Sequence, residues 1–421
     1  MLIALAAVSR ASPTNNDECN CYLTNGSNSA YYSQHKFYDF RNLSKYAQVP
    51  SPIRNSSRKA GVTSDYFKSD TWDNTWSIQD WNNRGKGGVS LSGDATVFMA
   101  NSPNNVYIQK NDDDDAASDT FLTMRTMRMP GFQSAAEFES VSTYHYVSVR
   151  MLARVTGGAG ACMALFTYLE GEDLADVQEA DIEILTRDPK NRIQYTNQPS
   201  FTDDGDDIPK ATRNGTLPKG LGWDDWVVHR LDWTPERSVW YVQGKEVASI
   251  EFQTPKDPAQ IILNAWSDGG SWSGNMSLGD AAYMQIQWID MVYNTTKDGE
   301  DKRSLDGEMP ERSVGRESSL FRRGDNDDEC KVVCSIDDVD KAGETKVLSQ
   351  SAASHMVMHW TKAIVIGCVI LMAIYILLAT SRNDVVSPSL EHITPSSLCH
   401  QTLLLYNHHH KQQQPFSPAI P

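Results

Sequence analysis

Residues 177–185, with the sequence VQEADIEIL, constrain the fold of this chain more than any other segment. Polar and apolar residues alternate there with a period of two. Because successive side chains of a β-strand point to opposite faces, this period places Glu179, Asp181 and Glu183 on one face and the apolar residues between them on the other. The segment therefore predicts a half-buried β-strand with one acidic face.

Strand patterns extend over the middle of the chain. Residues 283–292 alternate in the same way, and residues 226–233 and 144–152 have similar strand patterns. Residues 239–250 contain two apolar runs separated by Gln-Gly, which predicts a β-hairpin. Because residues 61–294 contain no long amphipathic helix, the sequence predicts an all-β fold, an antiparallel β-sandwich.

The charge balance and the tryptophan content narrow the class of protein. The chain has 421 residues, with 38 basic and 54 acidic side chains and a formal net charge of −16. This excess of acid argues against a nucleic-acid partner, because phosphate binding needs an excess of Lys and Arg. Ten of the 11 tryptophans lie between Trp72 and Trp288, which fits either a protein core or an aromatic-lined sugar site.

The first residues indicate export. An apolar run over residues 2–8 precedes small residues that end at Ala11, so residues 1–11 are predicted to form a signal peptide. Six N-glycosylation sequons precede a second apolar run at residues 363–379, and none follows it. The sequons lie at Asn25, Asn42, Asn55, Asn214, Asn275 and Asn294. This distribution favours a lumenal or extracellular orientation for the residues before the second run.

Residues 363–379, AIVIGCVILMAIYILLA, carry no charge. Trp360 precedes the run and Arg382 follows it, which suits the two interfaces of a membrane. We predict a single transmembrane helix, with the N-terminal domain at the cell surface or in the secretory pathway. A lipid-anchor signal is the alternative, because the small residues 351–353 and a spacer precede the apolar run.

Four of the seven cysteines lie in polar segments near the two ends of the predicted exported part. These are Cys19, Cys21, Cys330 and Cys334. In an oxidising compartment they are expected to pair and to join the two ends, in any of three connectivities. A zinc site is the competing interpretation. Cys162 lies in an apolar run and is expected to be a buried thiol.

These features divide the chain into six predicted regions. They are a signal peptide (1–11), an N-terminal cysteine-containing segment (12–60), a β-sandwich (61–297), a polar linker or stalk (298–362), a transmembrane helix (363–379) and a tail (380–421). The linker is predicted from its charge and its scarcity of aromatic residues.

Two interpretations fit the acidic face of residues 177–185. It is either a solvated face of an edge strand or a catalytic site. Carboxylates about 6.6 Å apart along a strand repel one another, and no Lys or Arg is interleaved, so the first interpretation is electrostatically costly. A retaining glycosidase instead needs one ionised and one protonated carboxyl about 5–5.5 Å apart. Because Glu179 and Glu183 would be about 13 Å apart in a flat strand, they could act together only on a strongly concave sheet.

The motif Glu-Ala-Asp-Ile-Glu at residues 179–183 resembles the E-x-D-x-E signature of glycoside hydrolase family 16. Other segments agree with that family in order and spacing, over roughly residues 66–294. They are residues 67–72 with Trp76 and 79–81, which resemble its opening strand in secreted fungal members; 195–199, the strand beside the motif; 232–233 with 240–244, a strand pair behind the cleft; and 264–272, a cleft-wall loop.

The resemblance implies a fold and a set of catalytic roles. The fold is a concanavalin A-like β-sandwich, a jelly roll with a concave cleft, which supplies the curvature that the spacing demands. By analogy with the family, Glu179 is the nucleophile, Glu183 is the acid/base, and Asp181 holds and electrostatically tunes the pair. The motif has no extra residue before its last Glu. In this it resembles the branch of the family that contains mixed-linkage glucanases and wall transglycosylases.

Aromatic and amide side chains near the motif are candidates for sugar binding. Trp266 and Trp272 are expected to stack on pyranose rings, with core packing as the alternative. Tyr195, Asn197 and Gln198 are expected to hydrogen-bond sugar hydroxyls, although a structural role fits them nearly as well. The acidic run at residues 112–115 lacks calcium-ligand spacing and is expected to be a solvated loop, so we predict no metal and no cofactor.

The sequence therefore predicts a retaining glycosidase that acts on cell-wall or environmental β-glucan. Its glycosyl-enzyme intermediate would be resolved either by water or by a second sugar. The alternative is a catalytically silent carbohydrate-binding surface protein on the same fold. A structural wall protein that uses the membrane segment only for anchorage is a third hypothesis.

Overall fold

The structure is a computed structural model that describes residues 19–85, 88, 90–114, 116–295, 330–337 and 339–350. All described residues except Gln350 belong to one compact unit, Met1–Ser349. The described part contains 20 β-strands, one α-helix and several short 3-10 helices.

The strands are numbered here in chain order. The first ten are β1 (Cys21–Leu23), β2 (Tyr31–Tyr32), β3 (Gln34–Asp39), β4 (Trp76–Ile78), β5 (Met99–Asn101), β6 (Val106–Lys110), β7 (Thr120–Met129), β8 (Phe132–Ser140), β9 (Val147–Gly157) and β10 (Cys162–Leu169). The other ten are β11 (Gln178–Leu185), β12 (Arg192–Gln198), β13 (Thr212–Thr216), β14 (Val227–Trp233), β15 (Ser238–Val242), β16 (Lys245–Ile250), β17 (Gln260–Trp266), β18 (Ala281–Tyr293), β19 (Val332–Ser335) and β20 (Lys346–Gln350). The helix α1 spans Asp70–Asp73.

Sixteen of the strands form one continuous sheet that folds into two layers. Its order is β13-β12-β11-β10-β17-β8-β7-β18-β9-β14-β15-β16, and β3, β4, β5 and β6 pair at its sides. Strand β8 joins the layers, because its start pairs with β7 and its later residues pair with β17. The layer from β13 to β17 is called the front layer below. The predicted all-β sandwich is confirmed.

The core between the layers follows from the alternation along the strands. The apolar residues that alternate with the acids of β11 are buried. They are Ala180, Ile182 and Ile184. They pack in one hydrophobic cluster with Trp233 and Trp240 from the other layer, both of which are 0% exposed. Since the apolar faces of two layers meet there, burial of these side chains is the main stabilising contribution to the fold.

The tryptophans serve two purposes, as both interpretations of their number allowed. Six are buried, and they are Trp72, Trp76, Trp223, Trp233, Trp240 and Trp288. Trp81 and Trp272 are instead 44% and 38% exposed. The two exposed indoles are available to a ligand.

A small second sheet covers the outer side of β9, β14 and β18. Its order is β2-β1-β19-β20, so it combines residues from the two ends of the described chain. Disulfides Cys19–Cys334 and Cys21–Cys330 join those ends, which confirms the predicted pairing of the four cysteines and selects one of the three connectivities. Apolar side chains of this small sheet and its flanking residues form a cluster with Val292 of β18. They include Tyr22, Tyr32, Val332 and Ile336.

A buried charge network lies under the small sheet. Arg230 on β14 contacts Asp232 at 2.6 Å and Asp337 at 3.1 Å. Arg150 on β9 contacts the same Asp337 at 2.6 Å, and Asn25 accepts a hydrogen bond from Arg230 at 3.0 Å. The two arginines therefore fix the C-terminal segment and the N-terminal segment to one place on the sandwich.

Two local predictions need correction. Residues 67–72 resemble an opening strand in sequence, but they lie in a 3-10 helix at Asp65–Lys68 and in α1, and the strand begins only at Trp76. The alternation at residues 283–292 predicts a half-buried strand, yet Gln285 and Gln287 on its polar face are only 7% and 4% exposed. The reason is that the polar face of β18 is covered as well, for example by Arg154, whose Nε donates to Gln285 at 2.6 Å.

The predicted linker (298–362) includes β19 and β20 of the small sheet, and the predicted N-terminal segment (12–60) includes β3, which pairs with β18 of the sandwich. The predicted hairpin is formed by β15 and β16, and its turn residues Gln243 and Gly244 both have positive φ, which suits a two-residue hairpin turn. The predicted signal peptide (1–11), membrane segment (363–379) and tail (380–421) lie outside the described residues. In the part of the chain that the structure describes, no helix is long and apolar enough to cross a membrane.

Candidate active site

Strand β11 presents its acids on the open side of the front layer. Glu179 and Glu183 are partly exposed, and Asp181 between them is 1% exposed. Asp181 is paired with Phe166 of β10 on one side and with Thr196 of β12 on the other. The side of the front layer that carries these three acids is called the acidic face below.

Glu183 accepts hydrogen bonds from two neighbours. The indole Nε1 of Trp272 donates to its Oε1 at 2.9 Å, and the thiol of Cys162 on β10 lies 3.4 Å from the same oxygen. Trp272 comes from the loop after β17, which is held in place by a hydrogen bond from the Ser271 amide to Asp94 at 2.7 Å. Sequence reasoning predicted Trp272 as a sugar-binding residue, and the structure brings it to Glu183. Cys162 was expected to be buried, which is confirmed, but its contact with Glu183 was not foreseen.

Burial raises the pKa of all three carboxyls above their ordinary values. The neighbouring charges of Glu179 and Glu183 raise the pKa of Asp181 further, well above its usual range. For Glu179, hydrogen bonding from Asp181 opposes the effect of burial and lowers the pKa. These directions favour a proton on Asp181. Its hydrogen bond to Glu179 only partly offsets burial, which together with the charge of Glu183 raises the pKa of Glu179 to about 8.

The floor beside Glu183 is apolar. Cys162, Ala164 and Leu185 are buried there, and Phe166 and Trp266 pack partly buried against them. Trp266 is directly opposite Cys162 across the β10–β17 pair, so it lies near Glu183 on the acidic face. A partly exposed indole beside an acid fits the predicted role of Trp266 as a sugar platform.

The three residues predicted on β12 separate into two groups. Gln198 is opposite Glu179 and its Nε2 lies 3.5 Å from Asp181 Oδ2, so it lies on the acidic face. Tyr195 and Asn197 point to the other side of the strand, into the core. Tyr195 packs against Trp240 with ring centroids 5.5 Å apart, and Asn197 donates to the Phe252 carbonyl at 3.0 Å. The structure does not bring these two side chains to the acids.

A second acidic position escaped the sequence reasoning. Glu137 on β8 is 6% exposed, and Trp81 Nε1 donates to its Oε1 at 2.5 Å. Burial raises the pKa of Glu137 to about 7, the nearby Glu139 raises it too, and the Trp81 hydrogen bond lowers it. The signal was present in residues 136–140, AEFES, where acids alternate with apolar residues as they do on β11.

The acidic run predicted as a solvated loop is tied to the fold. Asp113 contacts Arg154 at 2.8 Å and accepts a hydrogen bond from Trp226 at 3.2 Å, which lowers the pKa of Asp113. Asp112 contacts Lys110 at 3.4 Å. Asp112 and Asp113 are therefore paired with basic side chains and are not fully solvated.

Residues 95–290 match the family model described as "Glycosyl hydrolases family 16". A β-glucanase of Bacillus subtilis (strain 168) is 26% identical over 158 residues, which are 36% of this chain and 61% of that protein. A xylanase/β-glucanase of Ruminococcus flavefaciens is 28% identical over 136 residues, which are 32% of this chain and 16% of that protein. The chain thus spans about three fifths of the length of the Bacillus relative.

Two solved β-glucanase structures are similar to this chain. The Bacillus licheniformis β-glucanase has a TM-score of 0.41 at 21% identity, over 53% of this chain and 94% of that one. A prokaryotic β-1,3-1,4-glucanase from a mouse hindgut metagenome has a TM-score of 0.41 at 18% identity, over 62% of this chain and 98% of that one. The residues that match the family model run from β5 into β18 and include all three acids of β11, so over this part the chain is similar to glycosyl hydrolases family 16.

Proposed function

We propose that this protein is a retaining glycosidase that acts on β-glucan. The observation that carries the proposal is the acidic face of β11, where a buried carboxyl lies between two partly exposed ones in the part of the chain that is similar to family 16. A retaining glycosidase uses one carboxylate as a nucleophile and one carboxylic acid as a proton donor. The β-glucan substrate is supported by the names of the relatives, several of which are β-glucanases.

In the first step of the proposed reaction, Glu179 attacks the anomeric carbon of the bound sugar. The bond from that carbon to the glycosidic oxygen breaks, and Glu183 gives its proton to the departing oxygen. Asp181 keeps its own proton, because burial and two neighbouring acids raise its pKa. The hydrogen bond from a protonated Asp181 lowers the pKa of Glu179 against the larger effect of burial, and so favours ionisation of the nucleophile.

In the second step, Glu183 acts as a base. It takes a proton from water or from a sugar hydroxyl, and the resulting oxygen attacks the glycosyl-enzyme and releases Glu179. Water as the acceptor gives hydrolysis, and a second sugar gives transglycosylation. Trp266, Trp272 and Gln198 are proposed to hold the sugars, since they share a face with the acids.

Product analysis of the full chain tests this proposal. The protein is incubated with a panel of β-glucans and chitin, with and without a labelled oligosaccharide acceptor, and the products are read by mass spectrometry. Shortened unlabelled products are expected from hydrolysis, and label on longer chains is expected from transglycosylation. Glu183→Gln is the matched control, and equal products from it and from the native chain would contradict the assigned role of Glu183.

A catalytically silent carbohydrate-binding protein is the second candidate. The exposed indoles of Trp81 and Trp272 would serve a binding protein equally well. In that case the same panel would give binding without any cleaved or transferred product.

Cys162 is expected to set the upper pH limit of activity. Its thiol donates to Glu183, and this hydrogen bond lowers the pKa of that carboxyl. Because Cys162→Ala removes the donor, the pKa of Glu183 should rise, and the acid should keep its proton to higher pH. The basic limb of the kcat/KM profile is therefore expected to move upward in pH.

Cys162→Ser is the control, since its hydroxyl can still donate. It is expected to restore a profile close to that of the native protein. A basic limb that stays in place in Cys162→Ala would show that the thiol does not act on the proton donor.

A further inference from the structure

One row of paired residues begins on β8 and crosses the whole front layer at the level of Glu183. Each member is directly opposite the next across a strand pair, from β8 to the edge strand β13. The members, called the cross-strand row below, are Glu137, Asn264, Ala164, Glu183, Gln194 and Asn214. Since residues opposite one another in antiparallel strands point to the same side, Asn214 lies on the acidic face.

Two exposed indoles lie along the cross-strand row. Trp81 donates a hydrogen bond to Glu137 at the β8 end of the row, and Trp272 donates one to Glu183 near the middle. Two stacking surfaces along the row suit a sugar chain that crosses the strands. Asn214 ends the row two strands beyond Glu183, which is about 10 Å at the usual strand spacing.

Asn214 begins the sequon Asn214-Gly215-Thr216. Asn214 and Thr216 are exposed, whereas Gly215 is buried and packs against the ring of Tyr195. A side chain at position 215 would collide with that ring, so glycine keeps β13 in register and keeps Asn214 turned to the acidic face.

The amide of Asn214 is free for modification. It makes no hydrogen bond with any residue that the structure describes. By contrast, Asn294 in another sequon accepts from the Ser33 amide at 2.9 Å and donates to the Tyr31 carbonyl at 3.4 Å. The two disulfides also fit an oxidising compartment such as the secretory pathway, where N-glycans are attached.

We propose that Asn214 carries an N-glycan that limits how far a polysaccharide can extend beyond Glu183 over β12 and β13. In the attachment step the donor is a lipid diphosphate oligosaccharide of the secretory pathway. A bond forms between Asn214 Nδ2 and the anomeric carbon of the donor sugar, the bond from that carbon to the diphosphate oxygen breaks, and the proton lost by Nδ2 passes to water. The lipid diphosphate leaves with the bonding electron pair.

The effect of the glycan rests on the proposed β-glucan activity, but its presence does not. The full chain is produced in a eukaryotic secretory host, and glycopeptides are mapped by mass spectrometry after peptide N-glycosidase treatment. The expected result is conversion of Asn214 to Asp in the treated native protein and no such conversion in Asn214→Gln or Thr216→Ala. An unmodified Asn214 in protein that has passed through the secretory pathway of the host would overturn the proposal.

Kinetics then test the position of the glycan. Asn214→Gln and Thr216→Ala are both expected to raise kcat/KM severalfold on long β-glucan, and to leave kcat/KM on a short aryl β-glucoside oligosaccharide unchanged. Asn275→Gln, which removes an exposed sequon on the loop after β17, serves as the control. Equal kcat/KM on long β-glucan with and without the Asn214 glycan would overturn the limiting role. If no variant has any activity but Asn214 is glycosylated, the proposed function has failed and the modification site has not.

Discussion

Replacing Glu179 with Gln is expected to lower turnover of β-glucan by about 10⁴-fold or more, because the amide cannot act as the nucleophile. The fold should persist, since Glu179 is partly exposed and its neighbours Ala180 and Ile182 supply the packing of β11. Circular dichroism and thermal unfolding check the fold, and initial rates on the productive polymer check turnover.

Two further variants make this result specific to the nucleophile. Glu172→Gln changes an exposed carboxyl in the loop before β11 and should leave the rate unchanged. Glu179→Ala should regain activity with sodium azide and yield a glycosyl azide of inverted configuration, because a small anion can then attack from the vacated side. Native turnover in Glu179→Gln would remove Glu179 from the catalytic role.

Removing the Arg230 side chain is expected to cost about 3–5 kcal/mol of the free energy of unfolding, because it leaves the buried carboxylate of Asp232 unpaired and leaves Asp337 with Arg150 alone. Arg230 and Asp232 have side chains that are 4% and 0% exposed, and Asp337 is 4% exposed. Arg230→Met retains much of the volume and removes only the charge and the hydrogen bonds. Denaturant unfolding of the full chain with intact disulfides measures the effect.

Arg237→Met is the matched control for this experiment. Arg237 contacts Glu251 at 2.7 Å, but the two side chains are 37% and 67% exposed. Water screens such a pair, so its loss should cost about 0–1 kcal/mol. Equal small effects for both arginines would mean that the buried network does not hold the N-terminal and C-terminal segments on the sandwich.

The sequence was sufficient to predict the sandwich and the acidic strand because both depend on local alternation. A period of two can be recognised within residues 177–185, and the hairpin of β15 and β16 is marked by its Gln-Gly turn. The helices at residues 65–73 were missed because a strand was expected there from the resemblance to the family, and aromatic residues such as Phe67 and Trp72 are compatible with a strand in isolation. Their tertiary contacts decide otherwise, since the Trp72 ring packs on Phe67 and Phe138.

The binding residues on β12 show a different limit. Tyr195 and Gln198 differ by three positions, so on one strand they must point to opposite faces. Which of them meets the acids depends on the register against β11, a pairing between segments that the sequence does not state locally. Glu137 was missed for the same reason, because β8 reaches the acidic face only through β17 and β10.

The disulfide connectivity also needed the fold. Cys19 and Cys21 are two residues apart, and either could reach Cys330 or Cys334 in an unfolded chain. The parallel pairing of β1 with β19 places Cys21 opposite Val333 and fixes which cysteines meet.

Trapping the glycosyl-enzyme tests the central claim most directly. The full chain is incubated with a 2-deoxy-2-fluoro glycoside of a β-glucan oligosaccharide that bears a good leaving group, and the protein is digested and sequenced by mass spectrometry. The fluorine slows the second step, so the proposal predicts one sugar adduct on the peptide of β11, at Glu179, and no adduct in Glu179→Gln. An adduct on another residue, or steady turnover without any adduct, would contradict a retaining mechanism that uses Glu179.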